Sequence, residues 1–148
     1  MNATITINFD MDGTIADLYG VENWLAMLTA EDTTPYENAL PLLRLSALAR
    51  RLNNLQRNGY HIAIISWLSK TGSAEYNERV TEAKLNWLAQ HMPSVNWDAI
   101  HIIPHGTPKQ NFCYCPYDIL FDEEENNRTN WPGPAFDANN IMDALRLF

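Results

Sequence analysis

Asp10 and Asp12 stand one residue apart at the end of the run Ile5-Thr6-Ile7-Asn8-Phe9, and Gly13-Thr14 follows them at once. An alternating apolar stretch with β-branched residues reads as a buried strand. Side chains alternate along a strand, so the two carboxylates share one side wherever the extended geometry persists, and Gly13 lets the backbone turn sharply just beyond them. A pair of acids presented where a strand stops is a place to hold a cation and a phosphate. An isolated Asp-Gly would be an ordinary helix cap; Asp-x-Asp-Gly-Thr behind a hydrophobic strand is more demanding. Three groups further along could join it: Ser66 closing Ile62-Ala63-Ile64-Ile65-Ser66, a lysine at 109 or 70, and Asp122-Glu123 closing Ile119-Leu120-Phe121.

Such groups need a scaffold that brings distant strand ends together. After Gly13, the roughly helical spacing of Leu18, Val21, Trp24, Leu25 and Leu28 predicts a short helical excursion within about residues 15–38, interrupted by the polar stretch 29–35. A stronger helix is predicted over 39–57, with Leu45, Leu48, Leu52 and Leu55 on its buried face and Asn58-Gly59 as its stop. Residues 60–66 form the second predicted strand, apolar on both faces as in the interior of a parallel sheet. Ser73 is placed to cap a helix over 74–91, with Tyr76, Val80, Ala83, Trp87 and Leu88 as its inward stripe, and Pro93 follows its end. Residues 97–103 and 118–122 are the third and fourth predicted strands; 126–133 reads as a polar loop, and a last helix begins near Asp137. Strands alternating with helices predict an α/β fold: a three-layer sandwich with a Rossmann-like parallel sheet in one domain, residues 1–148. Ligands of such sheets bind beyond the carboxyl ends of the strands where strand order reverses, and Asp10, Ser66 and Asp122 end three of the four strands there.

Phe9-Asp10-Met11-Asp12-Gly13-Thr14 resembles the first motif of the haloacid dehalogenase-like (HAD) phosphohydrolases, Asp-x-Asp-Gly-Thr/Val. That family expects a Ser or Thr at the end of the second strand, a lysine before the last core strand and acids at its end. Ser66, Lys109 and Asp122-Glu123 meet these demands in order, so the resemblance spans about residues 5–125. It is similar to small, cap-poor HAD-like proteins of phages and bacteria, and distantly to deoxyribonucleotidases. The resemblance implies a Mg²⁺-dependent phosphatase that hydrolyses a phosphomonoester through an aspartyl-phosphate. It implies Asp10 as nucleophile and Asp12 as the group that protonates the leaving oxygen and then activates water. It places Ser66 and Lys109 on the phosphate, favouring Lys109 over Lys70 by position. It assigns the metal to the Asp10 carboxylate, the Asp12 main-chain carbonyl and Asp122. Glu123 stands where many relatives have a second aspartate, and is expected to help through water.

Composition narrows the partners. With a formal net charge of −8, the chain has no basic balance for general attraction to nucleic acid or membrane, and no apolar run is long enough to span a bilayer. No basic region followed by an apolar core and cleavage site is read at the N-terminus, so the expected compartment is the cytoplasm. Cys113 and Cys115 are too few for a disulfide scaffold and read as structural, as do the four histidines, of which only His105 falls near the inferred site. Glu124 and Glu125 read as a solvated loop.

The intervals between motifs leave no room for a full cap domain, so a minimal cap and a rather open site are expected. This suits a bulky phosphate, or an oligomer whose neighbour supplies the lid. Tyr19, Trp24, Trp67 and Trp131 fall near the expected mouth, where they could stack on the base of a nucleotide. Three other readings stand beside this one. A receiver-like signalling domain shares the acidic pair, Ser and Lys, but needs a lone aspartate closing a middle strand. A HAD-fold binding or regulatory protein would keep metal without turnover. A phosphotransferase would pass the phosphoryl group to an acceptor other than water.

Overall fold

The structure, a computed structural model, describes residues 4–148, so residues 1–3 of the expected domain lie outside the described part. The chain runs through β1 (Thr6–Phe9), β2 (Ala16–Asp17), a 3-10 turn (Leu18–Gly20), α1 (Trp24–Thr29), α2 (Thr34–Asn38) and β3 (Leu40–Pro41). It continues through α3 (Leu45–Arg57), β4 (His61–Trp67), α4 (Ala74–His91), β5 (Ala99–Ile103) and a second 3-10 turn (Lys109–Phe112). Then follow β6 (Ile119–Phe121), α5 (Glu125–Asn130), β7 (Ala135–Phe136), a third 3-10 turn (Ala138–Asn140) and α6 (Ile141–Leu145).

Five strands pair in parallel in the order β5-β4-β1-β6-β7. The chain leaves β1 for β4 and β5 on one side, then returns to β6 and β7 on the other. Strand order therefore reverses at β1, which is where ligands of such sheets bind. Register then determines which residues meet: Phe9 pairs with Ile64 on one side and with Phe121 on the other. Asp10 N donates to Phe121 O at 2.9 Å, so Asp10 and Asp122 leave adjacent strand ends side by side.

The alternation of side chains sorts the core onto two faces. Ile7, Phe9, Ile62, Ile64, Ile119 and Phe121 form one cluster with the leucine stripe of α3 and with Trp87, Leu88, Ile141 and Leu145. Leu48, Leu52 and Leu55 are almost entirely buried there, and truncating any one to alanine costs about 2–5 kcal/mol by the usual core rule. Phe9, Phe121 and Phe136 stack across three neighbouring strands at 5.0 and 5.4 Å, a rigid aromatic row in that face. Ile65 and Leu120 point to the opposite face and pack with Trp131.

Several boundaries differ from the sequence reading. The helix expected over 39–57 starts at Leu45, because Pro41 lacks an N–H and biases Leu40 toward extended backbone, where Leu40 pairs with Asp17. That two-residue pairing of β2 with β3 closes the excursion at its base, and what stands on it is one 3-10 turn and two short helices. The loop expected over 126–133 holds α5, and a fifth strand, β7, extends the sheet beyond the four expected. Trp131, expected near the mouth, is buried, and its Nε1 donates to Asp118 O at 2.9 Å. Among the described residues no helix is long and apolar enough to cross a membrane.

Candidate active site

The turn after β1 is wound around Met11 O, which accepts from the main-chain N–H groups of Thr14, Ile15 and Ala16 at 3.0–3.1 Å. Gly13 takes φ +81° within it, and a Cβ there would overlap the Glu123 carboxyl. Glycine is therefore required twice over, for a left-handed backbone and for the close approach of Glu123. This turn brings the end of β1 against the end of β6.

Asp10 is held on both oxygens. Lys109 Nζ donates to its Oδ1 at 2.9 Å and Thr14 Oγ1 to its Oδ2 at 3.0 Å. Lys109 Nζ also donates to Asp122 Oδ2 at 2.7 Å, so one buried ammonium bridges the two strand-end carboxylates. Burial alone would lower the Lys109 pKa; Asp10 and Asp122 more than reverse that, so it rises and the ammonium stays charged. Asp122 is completed by Glu124 N on Oδ1 at 2.9 Å and Asn127 Nδ2 on Oδ2 at 3.1 Å. Lys70, the alternative lysine, is exposed on the cavity rim and forms no ion pair among the described residues.

Asp12 and Ser66 meet at a second ammonium that the sequence reading passed over. Lys84 Nζ lies 2.9 Å from Asp12 Oδ2 and 2.6 Å from Ser66 Oγ. A signal for it existed: Lys84 falls four residues after Val80 and three before Trp87, inside the apolar stripe of α4, where a solvated lysine does not belong. Ser66 is fully buried and does not line the cavity; its hydroxyl accepts from Lys84, which leaves its own proton to be donated elsewhere. Thr14 and Asn127 are the other contributors without an expected role.

These residues surround one cavity of about 400 Å³, with Asp10, Asp12, Lys109, Asp122, Glu123 and Asn127 at its polar end. Its other wall is apolar and comes largely from the excursion: Leu18, Tyr19, Trp24, Leu25 and Leu28. The site is thus partly roofed rather than simply open. No residue of α1 is fully buried: Leu28 packs half-buried against the cluster of Leu18, Tyr36, Tyr76 and Val80, while Trp24 and Leu25, the latter 63% exposed, border the cavity. Across from it, Trp67 is fixed by a 2.9 Å bond from its Nε1 to Thr107 O and by the His105 ring at 4.8 Å. His101 packs against the Phe112 ring, tilted, at 4.4 Å, and Cys113 and Cys115 are free thiols.

Among the described residues, the side chains of Asp10, Asp12, Asp122 and Glu123 have two ammonium groups as ion-pair partners, Lys84 and Lys109, two fewer than the carboxyls, while Arg128 reaches the main-chain carbonyls of Asp122 and Glu123. The strain appears in the acidities of Asp12, Asp122 and Glu123. Burial, then Asp10, pushes Asp122 up to about 6 against the pull of Lys109. Burial, then Asp10 and Glu124, raises Glu123 to about 7. Asp12 is raised chiefly by burial, although Lys84 opposes this. Among the described residues no three His, Cys, Asp or Glu side chains are grouped to hold a metal by themselves. The expected set needs only two carboxylates and one carbonyl, and a hard dication that keeps its waters suits an oxygen-only donor set with surplus negative charge.

The raised acidities fix a sign for stability. A carboxyl with a folded pKa above its unfolded one binds more protons when folded, so its stabilisation is present at low pH and lost as pH rises through the folded value. For Asp122 and Glu123 that window runs from about 4, the unfolded range, to about 7. Metal-free protein should therefore show a falling Tm between pH 5 and pH 8, and added Mg²⁺ should raise Tm more at pH 8 than at pH 5. A Tm that climbs over this range without Mg²⁺ would contradict the charge excess.

No protein-family model matches the chain, and no curated protein matches it. Solved structures do resemble it in fold. One is the D,D-heptose 1,7-bisphosphate phosphatase of B. bronchiseptica, complexed with magnesium and phosphate. It is 12% identical over 89% of this chain and 78% of its own, with a TM-score of 0.55. Another is the D,D-heptose 1,7-bisphosphate phosphatase of Burkholderia thailandensis, 8% identical over 98% of each chain, with a TM-score of 0.57. The chain therefore shares the Rossmann-like α/β fold of these two phosphatases.

Proposed function

We propose that the chain is a Mg²⁺-dependent phosphatase acting on small phosphomonoesters through an aspartyl-phosphate on Asp10. The observation that carries this reading is the convergence on one cavity of Asp10, Asp12 and Asp122 from distant parts of the sequence, with Lys109 bridging two of them. Phosphoryl transfer asks for positioning and charge neutralisation more than for reactive groups. Asp10, held on both oxygens, is an oriented nucleophile. Lys109 neutralises Asp10 and the incoming phosphate. Ser66, which the resemblance places on the phosphate, is buried behind the cavity wall and serves instead to anchor Lys84 beneath Asp12. Asp12 protonates the leaving oxygen and then takes a proton from the water that releases phosphate. The Asp10 and Asp122 carboxylates and the Asp12 carbonyl would hold Mg²⁺, with Glu123 beside them, and the ion when bound supplies charge stabilisation to the phosphoryl oxygens.

The apolar wall narrows the substrate. A roofed cavity of about 400 Å³ favours a small molecule over a macromolecular phosphate, and Trp24 and Trp67 favour a planar leaving group such as a nucleoside. Release of phosphate from a panel of nucleoside and sugar phosphates, with and without Mg²⁺, tests the reading. Turnover that requires Mg²⁺ is expected, and its absence with every ester would defeat the proposal. Trp24→Ala should raise KM for the preferred nucleotide about tenfold while kcat changes little, because base stacking on an aromatic contributes about 1–3 kcal/mol to binding. A loss confined to kcat would remove Trp24 from the binding wall.

A further inference from the structure

We propose that Lys84 is a positioning residue: it pins one oxygen of Asp12 so that the other faces the cavity as the proton-transfer atom. The inference rests on the phosphatase reading and adds to it a residue outside the cavity wall. Lys84 is 1% exposed, and its ammonium is used completely. Nζ donates to Asp12 Oδ2 at 2.9 Å, to Ser66 Oγ at 2.6 Å and to Trp67 O at 2.7 Å, three acceptors for three protons. The Tyr36 ring lies 5.2 Å from it. Lys84 therefore ties the turn after β1 to the end of β4 from beneath.

Asp10 and Asp12 differ in a way that suits different tasks. Asp10 is bonded at both oxygens, whereas Asp12 receives a bond only at Oδ2 among the described residues. Asp12 lines the cavity and Lys84 does not, so Oδ1 is the oxygen left for chemistry. A general acid works only within hydrogen-bond reach of the oxygen it protonates. Without Lys84 the carboxyl could turn away from the leaving group.

The step is explicit. As the bond from Asp10 to phosphorus forms, the bond from phosphorus to the leaving oxygen breaks, its electron pair goes to that oxygen, and the oxygen takes the Asp12 proton. Water then attacks phosphorus, gives a proton back to Asp12, and the Asp10–phosphorus bond breaks to restore the carboxylate. An alkoxide needs that first proton and p-nitrophenolate does not.

The test compares kcat/KM, which reports the first half-reaction, for an alkyl phosphate and p-nitrophenyl phosphate at saturating Mg²⁺. Lys84→Met should lower the alkyl value about 100-fold and the p-nitrophenyl value less than about fivefold, within the range ascribed to general acids. Asp12→Asn should show the same split, and adding Lys84→Met to it should cost little more, since the two act as one unit. Equal losses on both esters would overturn the inference and leave Lys84 a neutralising ion only. If Lys84→Met fails to fold, Lys84→Gln is read instead: its shorter amide has two protons for the three acceptors of Lys84, so the split between the two esters should remain, smaller than for Met, and equal losses would again overturn the inference. No turnover of either ester by the unmodified protein would instead overturn the phosphatase reading, a result distinct from equal losses.

Discussion

Asp10→Asn is expected to stop phosphate release, with a loss on the order of 10⁴-fold or more, the scale seen when a nucleophile is removed. The substitution is nearly isosteric, and an amide oxygen can still accept from Lys109. It also removes one negative charge from a cluster that carries two in excess over its ammonium partners. Folding should therefore be unimpaired, and Tm in the absence of Mg²⁺ unchanged or higher. Dead but stable protein is the informative outcome, since it separates chemistry from collapse. Activity retained near the unmodified level would mean that phosphorus is attacked by water or another residue.

Lys109→Met should damage both stability and activity. The ammonium is 2% exposed and bonds two buried carboxylates, so removing it leaves both without their cation. Breaking a buried pair from one side costs about 3–5 kcal/mol. For a chain of this size that corresponds to a Tm lower by roughly 10 °C. Phosphatase activity should fall by a further 10²–10³-fold or so, the usual effect of removing a pre-aimed electrostatic partner. Adding Asp122→Asn should recover part of the lost Tm but none of the activity. An unchanged Tm in Lys109→Met would show that the bridge is not what neutralises these acids.

Much of this site was legible in the sequence because it lies at strand ends, where local pattern and chemistry coincide. The run into Asp10 and the run into Asp122 both read as strands, and parallel pairing then brings their ends together. Ser73 acts as the cap of α4, accepting from Tyr76 N at 3.1 Å. Lys84 was hidden because a lysine in a helix is assumed to face water, although its position in the stripe of α4 argued otherwise. Pro41 was an available warning against a helix beginning at residue 39. β7 left no comparable trace: two residues at a sheet edge carry no period, and only the main chain of β6 recruits them. The aromatics were sorted by tertiary packing alone. Tyr19, Trp24 and Trp67 line the cavity while Trp131 fills the core beneath the sheet.

The most direct test of the central claim is a crystal structure with Mg²⁺ and BeF₃⁻, a mimic of the phosphoryl group. Beryllium bonded to an Asp10 oxygen is the predicted result, with Mg²⁺ on Asp10, Asp122 and the Asp12 carbonyl. Beryllium fluoride elsewhere, or Mg²⁺ bound away from Asp10 and Asp122, would contradict it.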